Sequence, residues 1–527
     1  MSFRMSVPSH WRTELLDDLC DKITDGTHHS PSETDQTQHG DFAYVTAKNI
    51  KEAGIDLSRI TYLPARIHNP IFERCNPEKG DVLYIKDGVT TGIATVNQLD
   101  EPFSMLSSVA LLKPKRRVVE PRFLKWYLNS PIGYSAMTSQ MTGTAIKRLT
   151  LTKIKEAWAP VAPLSEQRRI VAKIEELFSD LDAGVAALER VRANLKRYRA
   201  AVLKAAVEGH LTEEWRKQHP PPHTEPAAKL LERILAERRA KWEQGQLRKF
   251  KEAGKTPPKG WKEKYEEPAP PATIGDVAIP MGWSLASLEQ LTSAVRVICY
   301  GILMPKDHVP GGIPYVKVRD MRGDRLDPTT LQRTTPEIAA QFARASLKGG
   351  DLLLAIRGTY GRAVEIPPEL EGGNITQDSA RLDVSGEMDH QYVLRHLRSI
   401  DTQNYFKRVA RGVAVKGVNI GDVRPTPILV PPLAEQAEIV AEVDRRLSVA
   451  DAAEQQVEHA LQRAARLRQS ILKRAFEGKL VPQDPADEPA ATMLERAKAP
   501  TNGHRTVIQT SDTPRRDTPK RRSRARV

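Results

Sequence analysis

The sequence predicts an α+β protein in which two pseudo-symmetric domains are separated by two long antiparallel coiled-coil helices. Three observations predict this: an internal duplication, a heptad seam closing each copy, and short apolar runs of strand length ahead of each seam. The 527 residues leave room for roughly three to four domains.

The duplication is plainest between residues 161–211 and 430–480, which align without a gap at an offset of 269 with about 20 identical positions. Val161-Ala-Pro-Leu-Ser-Glu-Gln opens the first copy and Val430-Pro-Pro-Leu-Ala-Glu-Gln the second; the endings Val-Glu-Gly-His-Leu211 and Phe-Glu-Gly-Lys-Leu480 also correspond. Upstream, Pro8-Ser-His-Trp11 pairs with Pro280-Met-Gly-Trp283, Tyr44-Val45 with Tyr315-Val316, and Lys79-Gly-Asp81 with Gly349-Gly-Asp351. Gly143-Thr-Ala-Ile-Lys147 matches Gly412-Val-Ala-Val-Lys416, and beyond the helices Glu225-Pro-Ala-Ala matches Glu488-Pro-Ala-Ala.

In chain order this predicts a first α+β domain at 1–160, a long helix within 161–212, and a charged, Pro-rich linker at 213–272 carrying one amphipathic helix near 226–252. A second α+β domain follows at 273–430, a second long helix within 431–481, and a C-terminal extension at 482–527 whose Arg-rich end, after about residue 499, reads as disordered. Within the domains, Phe42–Val45, Asp81–Ile85, Ser108–Leu112, Ile313–Val318 and Asp351–Ile356 read as strands, and 120–130 and 390–407 as helices.

Ile170, Ile174, Leu177, Leu181, Gly184, Leu188, Val191, Leu195, Tyr198 and Val202 recur at spacings of four and three, the seam of a coiled coil. About 44 helical residues span roughly 66 Å at 1.5 Å per residue. The corresponding seam in the second copy runs Ile439, Val443, Arg446, Ala450, Ala453, Val457, Ala460, Ala464, Leu467, Ile471 and is poor in large residues. Antiparallel pairing about a twofold that relates the copies sets Leu177 against Ala464, Leu181 against Ala460, Leu188 against Ala453, and Arg446 opposite Leu195, so that large residues meet small ones. An intermolecular parallel zipper of the second helix would stack alanine on alanine instead. The expectation is an intramolecular coiled coil holding the two domains at opposite ends.

Several functions are excluded at this level. Cys20, Cys75 and Cys299 lie far apart with no Cys/His pairing, which argues against a disulfide framework or zinc site and for a reducing, cytoplasmic setting. No apolar run approaches membrane-spanning length and no export leader opens the chain, so no membrane role is expected. Ala253-Gly-Lys-Thr256 imitates the end of a phosphate-binding loop, but Lys249 stands where its first glycine belongs. His28-His29 has no matching metal-ligand spacing, so no metal site is expected.

The loops after the strands differ between the copies and are rich in groups that read base edges: Arg or Lys for guanine, Asn or Gln for adenine. In the first domain the candidates are Thr27, His28, Lys48, Asn49, Lys86, Thr90 and Thr91; in the second they are Tyr300, Lys306, Lys317, Arg319, Arg357, Thr359, Tyr360 and Arg362. Lys147, Arg148 and Lys416 are candidates for phosphate contact. A duplicated scaffold with divergent loops, joined by a stiff ruler, suits two short sequences separated by a fixed gap. A coiled-coil scaffold without sequence-specific DNA binding would explain the helices but not two elaborate domains with divergent side chains.

Over residues 5–496 the sequence closely resembles the specificity (S) subunit of type I restriction-modification systems. The marks are Pro431-Pro-Leu-Ala-Glu-Gln436 with Pro163-Leu-Ser-Glu-Gln167, the paired Glu-Gly endings, Gly478-Lys-Leu-Val-Pro-Gln-Asp-Pro485, Asp25-Gly-Thr-His28 and Gly143-Thr-Ala-Ile-Lys147. The resemblance implies two target-recognition domains that read a bipartite sequence in double-stranded DNA, and no catalytic residues in this chain. It implies helices that dock two methylation subunits, through seam positions such as Ile170, Leu177, Leu181, Leu188, Leu195, Ala453, Ala460, Ala464, Leu467 and Ile471, and two restriction subunits. S-adenosylmethionine, ATP and Mg2+ would be used by those partners, with no cofactor bound here.

Lys plus Arg outnumber Asp plus Glu by 80 to 66, a net +14. By segment the recognition domains are each about +2, the linker about +4 and the Arg-rich end about +6. The basicity lies mostly outside the parts expected to read sequence, which predicts weak DNA binding by this chain alone.

Overall fold

The computed structural model describes residues 7–31, 42–139, 149–220, 224–275, 277–323, 326–413 and 415–498. Among its helices are α1 (Leu164–Val207), α2 (Ala227–Glu252), α3 (Leu433–Phe476) and α4 (Ala490–Lys498). The chain forms two compact units, one drawn from residues up to Ala186 and from Leu461 onward, the other from Ala187–Ala460. Each unit thus contains one α+β domain, one end of α1 and one end of α3.

The first unit is built on a four-stranded antiparallel sheet in the order Cys20–Asp25, Val109–Pro114, Val82–Ile85, Ala94–Val96. Beside it lies a three-stranded sheet with Phe42–Val45 at its centre, antiparallel to Thr61–Leu63 and parallel to Phe103–Met105. The second unit repeats the plan: Cys299–Tyr300, Ser379–Leu382, Leu352–Ala355, Ala363–Glu365, then Ile313–Val316 between Gln332–Thr334 and Asn374–Ile375. In both units a two-stranded ribbon, Arg12–Leu15 with Trp158–Val161 or Ser284–Ser287 with Pro427–Val430, leads into the long helix.

The central sheets are covered on both faces, which is why their strands read as unbroken apolar runs. In the first unit Val82, Tyr84, Ala110 and Leu112 enter one core while Leu83, Ile85, Val109 and Leu111 enter another. In the second, Leu352, Leu354 and Leu382 divide from Leu353, Ala355 and Val364 in the same alternation.

The helix ends complete the larger core of each unit. Ile170, Val171, Ile174 and Phe178 from the start of α1 pack with Ile471, Leu472, Ala475 and Phe476 from the end of α3 and with Met493 and Leu494 of α4. Phe476 is fully buried, with Phe123 and Tyr127 rings at 5.1 and 5.5 Å. In the second unit Val202 and Ala206 join Ile439 and Val443, and Leu230 and Ile234 of α2 take the place that α4 holds in the first. The segment between the copies is therefore partly core. The correspondence reaches single ion pairs: Arg233 clasps Glu225 at 2.6 Å in one unit and Arg496 clasps Glu488 at 2.8 Å in the other.

The Glu-Gln pair at the head of each long helix explains why that motif recurs. Gln167 donates to Ala162 and Val118 carbonyls and accepts from the Glu120 amide; Gln436 donates to the Pro431 carbonyl and accepts from the Asp389 amide. The buried Glu435 carboxylate accepts from Thr212 Oγ1 at 2.7 Å and Trp283 Nε1 at 2.9 Å and pairs with Arg216, while buried Glu166 meets His10 Nε2 at 2.9 Å. At the far ends, Gly209 and Gly478 adopt positive φ, and His210 and Lys479 amides reach back to Ala205 and Arg474 carbonyls in Schellman caps. A Cβ at Gly209 would run into Pro280 and one at Gly478 into Pro8, so both positions demand glycine twice over.

Within each unit α1 and α3 run antiparallel, as the seam predicts, but the register differs. Arg468 pairs with Asp182 at 2.9 Å in the first unit; Arg192 pairs with Glu458 at 3.1 Å and Arg199 with Asp451 and Glu454 at 2.5 and 2.7 Å in the second. The expected register would bring Arg192 level with Val449 and Arg199 level with Glu442, so the helices are displaced by about one heptad. A heptad slip returns every seam residue to a seam position, so apolar pattern alone does not choose; flanking charges do. Arg446 turns back along its own helix to Glu442, whose carboxyl is held down at about 2 by Arg445 first and by Arg446 with it.

One buried titratable group makes the second unit acid-sensitive. His396, on the helix His390–Arg398, accepts from the Leu429 amide through Nε2 at 3.1 Å and bonds Thr402 Oγ1 through Nδ1 at 3.0 Å. Burial lowers its pKa from 6.5 to about 4, because the charged imidazolium would lose its solvation there. The unfolded chain takes that proton from pH 6.5 downward and the folded one only near 4, so the stabilisation is complete above 6.5 and is lost as pH falls between these values. At roughly 1.4 kcal/mol per unit the loss amounts to about 3 kcal/mol. Urea midpoints of the second unit should fall over that window, and His396→Gln should start less stable at pH 7 yet flatten the decline.

Candidate nucleic-acid interface

In the second unit the turn 357–362 follows the strand Leu352–Ala355 and is pinned from two sides. Ile356 and Arg357 amides both donate to the Asp378 carbonyl, the Gly358 amide to Lys416, and the Val418 amide to Ile356. Arg411 and Gly417 exchange both backbone hydrogen bonds, forming a tight hairpin beside the turn. These elements enclose an open cleft of about 680 Å³ lined by Arg319, Arg357, Thr359, Asp378, Arg411 and Asn419 among others. Arg411 lies 3.6 Å from Asp422 and Arg319 3.6 Å from Asp320. The exposed Arg357 guanidinium has no ion-pair partner among the described residues. A guanidinium, a hydroxyl, a carboxylate and an amide converging on one cleft are the donor and acceptor set that base edges complement.

The other second-domain candidates divide. Tyr300 is partly exposed under the Arg344 guanidinium at 5.2 Å, and exposed Lys306 adopts a positive φ of 59° in the same loop. Lys416 is exposed at the hairpin. Lys317 is half-buried, donating to Gln332 and lying 5.3 Å from the Tyr315 ring centre. Arg362 donates to the Met321 carbonyl at 3.3 Å, and Tyr360 packs against the core.

In the first unit the equivalent place is organised around a buried carboxylate. Asp25 receives Arg74 at 2.7 Å, lies 3.4 Å from His28 Nε2 and 3.6 Å from Lys86 Nζ, and Lys86 also pairs with Asp87 at 2.8 Å. Lys86 is only 7% exposed. Asn49 is buried as well, accepting from the Thr46 amide and hydroxyl and donating to the Asp56 carbonyl. These two side chains are committed to holding the loops. His28, Lys48 and Thr90 are exposed, Thr27 bonds the His29 carbonyl and Thr91 the Gly88 carbonyl. Lys147 and Arg148 lie outside the described residues.

Asp378, Arg411 and Asn419 were not among the sequence candidates. They lie up to 100 positions from Arg319, and only the strand crossover brings them to the same cleft; the glycines of 412–417 were the one available signal. Of the seam residues, Ile170 and Ile471 are buried, Leu177, Leu181, Leu188, Leu195, Ala453, Ala460 and Ala464 half-buried, and Leu467 exposed. Cys20, Cys75 and Cys299 are buried free thiols, and burial pushes Cys20 up to about 12. Among the described residues no group of three His, Cys, Asp or Glu side chains is placed to hold a metal, and no helix is long and apolar enough to cross a membrane.

A duplicated α+β scaffold, each copy closed by the ends of two antiparallel helices and the second carrying a polar cleft, is the class of protein that this fold defines. Residues 8–190 match the family model of the type I restriction modification DNA specificity domain. The specificity subunit of the type I restriction enzyme EcoBI of Escherichia coli is 29% identical over 73% of this chain and 73% of its own length. That of EcoKI, from Escherichia coli strain K12, is 23% identical over 86% and 88%. A solved chain from work on complex assembly and conformational transition of the type I R-M system shares the fold, with TM-score 0.57 and 19% identity over 90% of this chain and 100% of that one. By sequence over most of its length, and by fold, the chain is similar to the specificity subunits of type I restriction-modification systems.

The two domains respond differently to loss of equivalent cations. Lys86→Ala leaves Asp25 with Arg74 and takes the lysine from Asp87, and should destabilise the first unit by about 1–3 kcal/mol. Arg357→Ala removes an exposed, unpaired side chain and should shift the second unit by under about 0.5 kcal/mol. Urea titrations of the two variants check the contrast.

Proposed function

We propose that this chain reads a bipartite target in duplex DNA, one short sequence through each recognition domain, and scaffolds two methylation and two restriction subunits. The observation that carries the reading is the second-domain cleft, where Arg319, Arg357, Thr359, Asp378 and Asn419 converge on a scaffold that the first domain repeats with different side chains. The same backbone plan presenting different base-reading groups favours two different half-sites over one repeated sequence. Paired helices of fixed length make the gap between half-sites a mechanical quantity, and their half-buried seams offer apolar surface to partner subunits. S-adenosylmethionine, ATP and Mg2+ belong to those partners in this reading, and the assembly acts in the cytoplasm.

The test is the methylated sequence in a host that carries the chain with its methylation partner. Arg357→Ala should relax or weaken recognition in one half-site by about 1–3 kcal/mol per lost bidentate contact and leave the other half-site unchanged. Relaxation of both halves, or of neither, would count against two independent readers. Removing one heptad from both α1 and α3 should change the preferred gap.

A further inference from the structure

We propose that the far end of α2 and the loop folded back on it, residues 247–264, form a cationic arm that binds the phosphates of duplex DNA without regard to sequence. The proposal extends the DNA-reading function above and rests on it for the identity of the polyanion.

The arm is separate from the part of α2 that packs. Helix α4 in the first unit and α2 in the second begin alike, Glu-Pro-Ala-Ala followed by Leu-Glu-Arg, and in both the opening turns are buried. Helix α4 ends after 9 residues, whereas α2 runs for 26, so its later turns have no counterpart among the described residues of the other copy. Closing the core therefore does not require them.

What the extension adds is charge on a fixed frame. Residues 247–264 contain seven Lys or Arg against two Glu, a net +5, while the whole of 213–272 nets +4. Arg248, Lys249, Lys251, Lys255, Lys259 and Lys264 are exposed and have no ion pair among the described residues. The frame is held at both ends. Near its base Arg238 is buried, donating to the Thr292 carbonyl at 3.1 Å and to Tyr265 Oη at 2.8 Å. At the tip Gly254 takes a positive φ, the Lys255 amide caps the helix on the Phe250 carbonyl, and the loop returns so that Trp261 stacks on Trp242 at 6.0 Å and meets Phe250 edge-on at 6.1 Å.

The composition selects phosphate over a protein surface. Protein interfaces are depleted in lysine and centred on buried aromatic anchors. Here six of the seven cations are lysines, and Trp242, Phe250, Trp261 and Tyr265 are engaged with one another. Lysine acts as a flexible point charge, suited to successive phosphates rather than to a fixed carboxylate pair. A few cations at a helix C-terminus are ordinary dipole compensation, but that accounts for Lys249 and Lys251 and not for Lys255, Lys259 and Lys264 beyond the cap.

The test uses the full chain, a fourfold Lys249→Gln, Lys251→Gln, Lys255→Gln, Lys259→Gln variant, and the same four positions changed to Arg. Binding to 30-bp duplexes of mixed sequence is measured against salt, with polyglutamate as an acidic polypeptide probe. The Gln variant should lose about tenfold in affinity near 0.1 M salt and lower the log-log salt slope by roughly two to four, at about 0.9 per phosphate, while the Arg variant keeps the parental slope. An unchanged slope in the Gln variant overturns the proposal, as does loss of polyglutamate binding with DNA binding intact. The ratio of preferred to random duplex should stay at its parental value in the variant. A parent with no sequence preference whose slope still falls in the Gln variant sustains the arm and sinks the recognition reading.

Discussion

Everything else in this molecule depends on how the two long helices are tied into the recognition domains. Each helix begins with a buried carboxylate and a buried amide, Glu166-Gln167 or Glu435-Gln436, whose polar atoms bond backbone and side chains of the domain beside them. A buried carboxylate left without partners costs several kcal/mol, so neither the helix start nor the domain is content without the other. The same domain receives the opposite end of the other long helix, which arrives at a glycine cap pressed against Pro8 or Pro280. Helix direction and domain position are fixed together by one set of contacts used twice.

This arrangement separates what must be constant from what varies. The ribbon, the Glu-Gln anchor, the Schellman cap and the Glu-Pro-Ala-Ala helix recur in both units, although the anchor carboxylate meets His10 in one and Thr212, Trp283 and Arg216 in the other. The turns after the central strands do not: Lys86 is bound between two carboxylates where Arg357 lines the cleft with no ion-pair partner among the described residues. A scaffold that carries its stability in the closure is free to change its loops, because exposed side chains in a pinned turn contribute little to folding. Arg357 is held by its backbone rather than by its side chain, which leaves the guanidinium available.

Much of this was legible in the sequence, and the limits have physical causes. Duplication, helix direction and the α+β character follow from spacing and identity, because offset and heptad period survive in one dimension. The coiled-coil register did not follow, since a slip of one heptad preserves every apolar position and only Arg192, Arg199 and Arg468 with their carboxylates distinguish the two. Among loop residues, sequence separates charged from apolar but not committed from free: Lys86 and Asn49 read like base-contacting groups and are buried in their own loops. Asp378, Arg411 and Asn419 escaped notice because a cleft built from segments 100 residues apart has no linear spacing. The charged segment between the copies reads as a linker with one amphipathic helix near 226–252; the helix is there at Ala227–Glu252, and its first turns pack because Ala227, Leu230 and Ile234 fall on one face.

The central claim is that one chain reads two sequences. Selection of bound or methylated duplexes from a random pool, by the chain assembled with its methylation partner, tests it most directly. The account predicts enrichment of two short, dissimilar motifs at one fixed gap with no preference in the bases between. A single contiguous motif, or two motifs at many gaps, would contradict it.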